Sequence, residues 1–350
     1  MADKSKIAWC DATIGPAYGC SPVSPACDHC YAARMAHRLG ELTAGTVENG
    51  KWTGRINLFP ERMEQALRWR KPRRIFVGSM TDLFHENVPD EFLDQIFACV
   101  ALAPRHTFLV LTKRPERMRR YFTRFSRRHH KQVLERAALA LYGEDAGNAA
   151  GNALDGVLAE GHNVGWPMRH VILMTTVEDQ PRADARMPHL MTLAGMGWRT
   201  GVSVEPMLGP LNLGLTRLPT DDDYCGWAED GPIDVVVTEA GQKLSWVICG
   251  GESGPNARPM HPAWVRSLRD QCFAADVPFF FKQWGEWAPT REDPYEKVAA
   301  ARIGEHGRNT ANLDNCTPDM GNEVYVYRVG KRAAGRLLDG REWNEFPEGR

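Results

Sequence analysis

Arg74-Ile75-Phe76-Val77-Gly78-Ser79-Met80-Thr81-Asp82 decides the fold class. A short, continuously apolar run gives way to glycine and then to hydroxyl and carboxylate side chains. An amphipathic helix over Pro89 to Ala103 follows, and a second apolar run, Thr107-Phe108-Leu109-Val110-Leu111-Thr112, ends in Lys113-Arg114. Strands apolar on both faces, alternating with helices, predict a parallel sheet covered on both sides. The unit recurs at His170-Val171-Ile172-Leu173-Met174-Thr175 with a helix over Gln180 to Ala194, and at Thr200-Gly201-Val202-Ser203-Val204. It recurs again at Trp246-Val247-Ile248-Cys249-Gly250 with a helix over Pro262 to Ala274, and at Val277-Pro278-Phe279-Phe280-Phe281. Ile7 to Cys10 is one more candidate strand. Six or seven such units predict an α/β protein built as a full or partial (β/α) TIM-like barrel. Neither a G-x-G-x-x-G fingerprint nor a Walker A motif marks a nucleotide-binding open sheet.

Working outward, Tyr31 to Leu39 has helical spacing, with Ala32, Met35, Ala36 and Leu39 on one side. Asn49-Gly50 predicts a tight hairpin turn, and Pro60 to Trp69 a helix entered through proline. Two stretches interrupt the rhythm as insertions. Residues 123–168 begin basic and become Ala/Gly-rich from Asp145 to Gly165, which reads as a helix followed by a loose loop. Residues 213–244 hold Asp221-Asp222-Asp223 and a candidate strand from Asp234 to Thr238. Residues 1–286 therefore read as a barrel domain and 287–350 as a C-terminal extension packed on it. The 350 residues are 43% hydrophobic and 25% charged with a net charge of −1, so any attraction to nucleic acid must be local. No apolar run is long enough for a membrane span, and the N-terminus lacks the apolar segment of a signal peptide, so a cytoplasmic protein is expected.

Nine cysteines in such a protein argue against a disulfide framework. Cys99 and Cys249 lie in apolar runs and read as core residues; Cys10, Cys225, Cys272 and Cys316 are scattered. Cys20, Cys27 and Cys30 are clustered, in Gly19-Cys20-Ser21-Pro22-Val23-Ser24-Pro25-Ala26-Cys27-Asp28-His29-Cys30-Tyr31, a C-x6-C-x2-C loop running into a helix. Three thiolates from one loop suit a metal centre with an open position. A [4Fe–4S] cluster would leave one iron free for a substrate or for the amino-acid chelate of S-adenosylmethionine. Zinc is the alternative metal, with His29 or a distant histidine completing a Cys3His site. No second C-x2-C or H-x3–5-H pair follows, which weakens a zinc ribbon or finger.

Functional side chains of parallel barrels gather at the carboxyl ends of strands. The first strand here ends in Ser79, Thr81 and Asp82, the second in Lys113 and Arg114, the third in Thr175-Thr176-Val177-Glu178. Glu205 follows the fourth, Gly250, Gly251, Glu252 and Ser253 the fifth, and Lys282 the last. We take Glu205, Glu252, Lys113 and Lys282 as candidate catalytic residues. Ser79, Thr81, Asp82, Gly250, Gly251 and Ser253 are candidate cofactor-binding residues, Gly250-Gly251 allowing close backbone approach. The competing reading is that loops are polar whatever their role.

From Lys113 to Lys131 nine Lys/Arg residues face one acid, Glu116, with Tyr121, Phe122, Phe125 and His129-His130 interleaved. Such a segment can grip phosphates and stack bases, or it can be a solvated helix face with arginine stems over apolar surface.

The cysteine loop and its neighbours resemble the three-cysteine-motif proteins carried by many phages and prophages, a domain of unknown function with radical-SAM-like character. The resemblance runs through Ile7-Ala8-Trp9 to Thr13, Gly19 to Arg38, Phe76 to Phe84, Leu111-Thr112-Lys113-Arg114-Pro115 and Ser203-Val204-Glu205-Pro206. It continues with Trp246 to Pro259, Phe281-Lys282-Gln283-Trp284-Gly285 and Ala334 to Arg341. It implies a TIM-like barrel and a cysteine-bound iron–sulfur cluster, and no known reaction. C-x6-C-x2-C departs from the C-x3-C-x2-C of most radical-SAM enzymes, and Cys10 stands where the family more often has threonine. The expectation is a radical-SAM-like enzyme acting on a nucleic acid or nucleoside. The alternative is a non-enzymatic zinc or iron–sulfur protein that binds nucleic acid or a partner protein.

Overall fold

Ile7 to Cys10 is not the first strand. In the computed structural model, which describes residues 4–155, 166–215, 244–289, 300–304, 309–310 and 323–347, these residues form a turn closed by Cys10 N–H to the Ile7 carbonyl. The turn lays the buried Trp9 on Phe76, with ring centroids 4.9 Å apart. Strand β1 comes next, Ala12–Ile14, with Ala12 and Ile14 inaccessible.

β2 (Ala17–Tyr18) leads into the cysteine loop, and α1 (Tyr31–Ala36) leaves it. β3 (Val47–Glu48) and β4 (Lys51–Trp52) form the expected hairpin, with Asn49 at φ 50° and Gly50 at φ 73°. Two positive φ values are what a type I′ turn requires. β5 (Asn57–Leu58) pairs with β2. The predicted Pro60–Trp69 helix is a 3-10 turn, Pro60–Met63, running into α2 (Glu64–Arg68).

β6 (Arg74–Val77), α3 (Asp90–Ala101) and β7 (Thr107–Thr112) are the first full strand–helix–strand unit. α4 (Pro115–Thr123), α5 (Arg127–Tyr142) and α6 (Glu144–Asp155) then precede β8 (Val171–Thr176). The Ala/Gly-rich start of the insertion is thus helical through Asp155, not a loose loop. Its glycines explain why: at Gly147 and Gly151, one helical turn apart, an added Cβ would stand 3.1 Å from Leu139 Cβ and on the Glu135 carboxylate. Small residues on one face let α6 lie close against α5. Residues 156–165 lie outside the described residues.

α7 (Gln180–Gly195), β9 (Arg199–Val204), β10 (Trp246–Gly250), α8 (Pro262–Ala274) and β11 (Phe279–Gln283) complete the repeat. The candidate strand from Asp234 to Thr238 and the Asp221-Asp222-Asp223 run lie outside the described residues, as do Cys225 and Cys316. β12 (Ala300–Gly304), β13 (Asn309–Thr310) and β14 (Glu323–Tyr327) form a separate antiparallel sheet, and α9 (Lys331–Ala334) follows.

The main sheet has seven strands in the order β1-β6-β7-β8-β9-β10-β11, and the pairs β1–β6, β6–β7, β7–β8, β9–β10 and β10–β11 are parallel. β1 and β11 are its outer strands, so the α/β fold is a partial (β/α) TIM-like barrel and not a closed one. The described residues fall into two compact units. One runs to Thr175 and resumes over Pro188–Thr200; the other is Thr176–Met187 with Gly201–Pro347. Ile14, Ile75, Leu83, Phe84, Phe97, Phe108 and Phe122 fill the core of the first, and Trp246, Phe279, Phe280 and Phe281 that of the second. In the second unit, residues 343–345 cover the free edge of β11. Phe281 N–H donates to the Trp343 carbonyl and Glu345 N–H to the Phe279 carbonyl. A covered edge cannot recruit another chain. No helix among the described residues is long and apolar enough to cross a membrane.

Candidate functional site

The cysteine loop starts where β2 meets the carboxyl end of β6. Gly19 N–H donates to the Met80 carbonyl (3.1 Å), and Thr81 Oγ1 donates back to the Gly19 carbonyl (2.7 Å). Gly19 has φ 112°, and a Cβ there would sit 2.0 Å from the Arg55 carbonyl oxygen, so only glycine passes. Tyr31 Oη donates to the Ser79 carbonyl (2.8 Å). Ser79 and Thr81, taken from sequence as cofactor ligands, thus clamp the two ends of the cysteine loop to β6. Between the clamps, Cys27 N–H donates to the Ser24 carbonyl and Cys30 N–H to the Cys27 carbonyl, and Cys30 is the N-cap of α1.

Asp82 is the hub behind this loop. Its side chain is 8% exposed. Oδ1 accepts from Thr112 Oγ1 (2.6 Å) and Phe84 N–H (3.0 Å); Oδ2 accepts from Lys113 N–H (3.0 Å) and Arg114 Nη1 (3.1 Å). The carboxylate therefore stitches the end of β6 to the end of β7. Lys113 contributes its backbone to this stitch. Arg114 reaches on to the loop, with Nη2 on Ser21 Oγ (2.7 Å) and the Ser21 carbonyl (3.2 Å), and Nη1 3.9 Å from Cys20 Sγ. Burial, with Asp82 adding to it and Arg114 opposing, pushes the Cys20 thiol up to about 12.

Ser21 and His85 look like a nucleophile and its base, with Oγ and Nε2 2.8 Å apart. The tautomer rules this out. His85 Nδ1 accepts from Asn87 N–H (3.1 Å), so the ring proton sits on Nε2 and points at Ser21. Burial, with the Arg114 cation beside it, holds His85 below its usual pKa and so neutral. Ser21, His85 and Glu86, which the sequence reading passed over, form a polar knot with Arg114 beside Cys20. His85 and Glu86 follow directly on the Leu83-Phe84 run, but no local pattern ties them to Ser21, 64 residues earlier.

The second unit holds the other predicted residues. Glu205 Oε1 lies 2.6 Å from Lys282 Nζ, and Ser203 Oγ donates to Oε2 (3.1 Å). Glu252 is 6% exposed and takes Arg258 in a fork: backbone N–H (2.7 Å) and Nε (2.8 Å) on Oε2, Nη2 (2.6 Å) on Oε1. Ser253 Oγ accepts from Gln283 Nε2 (2.8 Å). The close approach at Gly251 is made by protein backbone: an added Cβ would stand 1.9 Å from the Trp284 carbonyl oxygen. At Gly250 it would meet Lys282 Cβ (3.4 Å) and Glu205 Oε1 (3.5 Å). Glu205, Lys282 and Gly250 therefore share one locality, and Glu252 with Arg258 forms another.

The donor set of the loop suits a soft metal or an iron–sulfur cluster. Cys20, Cys27 and Cys30 are free thiols, each partly exposed. Among the described residues no three His, Cys, Asp or Glu side chains are already gathered around one point. Loading would have to draw the three thiols together.

An α/β protein with a parallel seven-stranded sheet and a triple-cysteine loop beside β6 is the class these features define. The sequence matches, over residues 4–347, the family described as "Protein of unknown function (DUF5131)", and the chain belongs to that family. No curated protein matches it. Among solved structures it is similar to spore photoproduct lyase complexed with dinucleoside spore photoproduct, at 13% identity and a TM-score of 0.37, covering 94% of this chain and 71% of that one. A variant of the same lyase with bound AdoMet and dinucleoside spore photoproduct is similar at 12% identity and a TM-score of 0.36, covering 90% and 68%.

Proposed function

We propose that this chain is a radical-SAM-like iron–sulfur enzyme of the kind carried by phages and prophages, working in the cytoplasm on a nucleic acid or nucleoside. One observation carries the reading. Three free thiols leave a loop clamped to the carboxyl end of β6, next to the Asp82–Arg114 pair that ties β6 to β7. In parallel α/β sheets that end is where ligands bind.

Cys20, Cys27 and Cys30 would hold a [4Fe–4S] cluster. When bound, it supplies an open iron for S-adenosylmethionine and the electron for its reductive cleavage. The chain's own residues prepare the place. Arg114 sets a cation against the first cysteine, which offsets the negative charge of thiolate ligands. Thr81, Ser79 and Tyr31 fix both ends of the loop. Glu205 and Lys282 form an ion pair across 2.6 Å, and we assign them to proton handling or to holding an anionic substrate group. Glu252 organises the 252–258 turn through Arg258 and so places Ser253.

Anaerobic purification with iron, sulfide and zinc quantified per chain tests the proposal, followed by S-adenosylmethionine and a reductant. The expected result is a brown, iron-loaded protein that releases 5′-deoxyadenosine and loses both properties on Cys27→Ala. Stoichiometric zinc without iron refutes the reading and favours a non-enzymatic zinc protein.

A further inference from the structure

All three nitrogens of Arg114 are engaged, and their targets surround one cysteine. Nε donates to Glu86 Oε2 (3.0 Å), Nη1 to Asp82 Oδ2 (3.1 Å), and Nη2 to Ser21 Oγ (2.7 Å) and the Ser21 carbonyl (3.2 Å). Nη1 also lies 3.9 Å from Cys20 Sγ. The side chain is 11% exposed, so the charge is fixed in place and poorly screened. Holding Ser21 by both its hydroxyl and its carbonyl aims the neighbouring Cys20 sulfur at the guanidinium. Lysine could not repeat this arrangement, because a single ammonium cannot span four partners.

We propose that Arg114 is a positioning residue that fixes Cys20 and makes the metal centre on that loop easier to reduce. The inference rests on the iron–sulfur reading above. A cluster becomes more negative when it takes up an electron. A fixed cation that donates N–H toward a ligand sulfur therefore stabilises the reduced form more than the oxidised one. Glu86 works against this. Its carboxylate touches the outer side of the same guanidinium, is 62% exposed and meets the loop through one long hydrogen bond from Ser21 Oγ (3.4 Å), which the amide oxygen of glutamine can still accept, so it tempers the charge with little part in holding the loop. Asp82 cannot serve as that probe, because it also anchors β6 to β7.

The geometry gives two shifts of opposite sign. The full chain is purified and reconstituted without oxygen, iron and sulfide per chain are measured, and the midpoint potential is followed by visible absorbance and electron paramagnetic resonance. Arg114→Met is expected to keep its iron and to move the midpoint negative by at least a tenfold change in the one-electron equilibrium, about 59 mV. Glu86→Gln is expected to move it positive. An iron-loaded Arg114→Met protein with the wild-type midpoint overturns the inference. Where Arg114→Met fails to load, Glu86→Gln decides alone: a positive shift supports the inference, and an unchanged or negative one overturns it. Wild-type protein that takes up no iron removes the underlying reading and this inference together, so the iron assay tells the two failures apart.

Discussion

Replacing Asp82 should damage the fold behind the cysteine loop. Asp82→Ala removes the acceptor for two backbone N–H groups, one hydroxyl and one buried cation. Breaking a buried ion pair by deleting one partner costs about 3–5 kcal/mol, and each stranded backbone donor adds roughly 1 kcal/mol. Arg114 keeps Glu86 and Ser21 as partners, so the net loss is about 4 kcal/mol. That is close to a thousandfold in the folded-to-unfolded ratio. Asp82→Asn is the sharper probe. Both carboxylate oxygens accept a backbone N–H, from Phe84 on one side and Lys113 on the other, so whichever way the amide turns, its NH2 faces a donor that cannot accept. The amide should therefore be nearly as destabilising as alanine, although it keeps the shape. Adding Arg114→Met to Asp82→Asn should recover part of the loss, because the uncompensated cation is gone. Urea unfolding followed by tryptophan fluorescence, with hydrogen exchange at the Phe84 and Lys113 amides, measures all three. Asp82→Asn with wild-type stability would refute the account of Asp82 as an obligate acceptor.

Two further predictions concern parts of the molecule away from the loop. His130 is 1% exposed, stacked on Trp166 with centroids 4.8 Å apart, and neither ring nitrogen has a hydrogen-bond partner. Burial, helped by Arg124, pushes its pKa down to about 4. The unfolded chain takes up this proton near pH 6.5 and the folded chain only near 4, so stability is full above 6.5 and falls as pH drops through that window. The loss reaches about 3 kcal/mol at the acid end. His130→Phe should flatten that part of the acid limb in urea midpoints recorded against pH; an unchanged limb refutes the assignment. Gly251→Ala places a methyl on the Trp284 carbonyl, whereas at Gly209 the nearest atom outside its chain neighbours is Asp179 Cβ at 3.8 Å. The first should lower thermal stability by about 3 kcal/mol or more and the second should be near neutral; equal melting temperatures would show that the β10–β11 ends are not tightly packed.

Much of the fold was legible because buried parallel strands carry an unambiguous signal. β7, β8, β9 and β10 lie within a residue of the runs that announced them, β6 stops at Val77, two residues short of Ser79, and α8 matches its predicted bounds. The first strand was misplaced because Trp9 is buried by packing on Phe76 and not by strand pairing, and apolar content cannot tell these apart. The site was legible as residue types and illegible as partnerships. Glu252 was legible as a candidate catalytic carboxylate at a strand end, but not as the partner of Arg258, six residues along the same turn. Asp82 announced itself by position; Ser21, His85 and Glu86 did not, because their role lies in a knot that joins residues about 64 apart in sequence.

The basic segment shows most directly how a charge count misleads. Nine cations between Lys113 and Lys131 invite a phosphate-binding surface. In the folded chain Arg114 is spent on Asp82 and Glu86, Arg117 on Asp90, Arg124 on Asp90 and Asp94, and Lys131 on Glu135 and Asp155. The acids come from α3, α5 and α6 and from the β6–α3 turn, which no local window around α4 would include. Among the described side chains four cations, Lys113, Arg119, Arg120 and Arg128, stand outside those pairs, and counting Arg127, whose side chain is not described, sets an upper limit of five. Each phosphate neutralised on a single strand contributes about −0.7 to the slope of log K against log salt. Binding of an oligonucleotide through this segment should therefore show a slope no steeper than about −3.5, against about −6 if all nine cations took part. Fluorescence anisotropy with a labelled single-stranded oligonucleotide across a salt series measures it. A slope near −6 would mean that the internal pairs open on binding, and no detectable binding at low salt would remove the segment as the route to a nucleic-acid substrate.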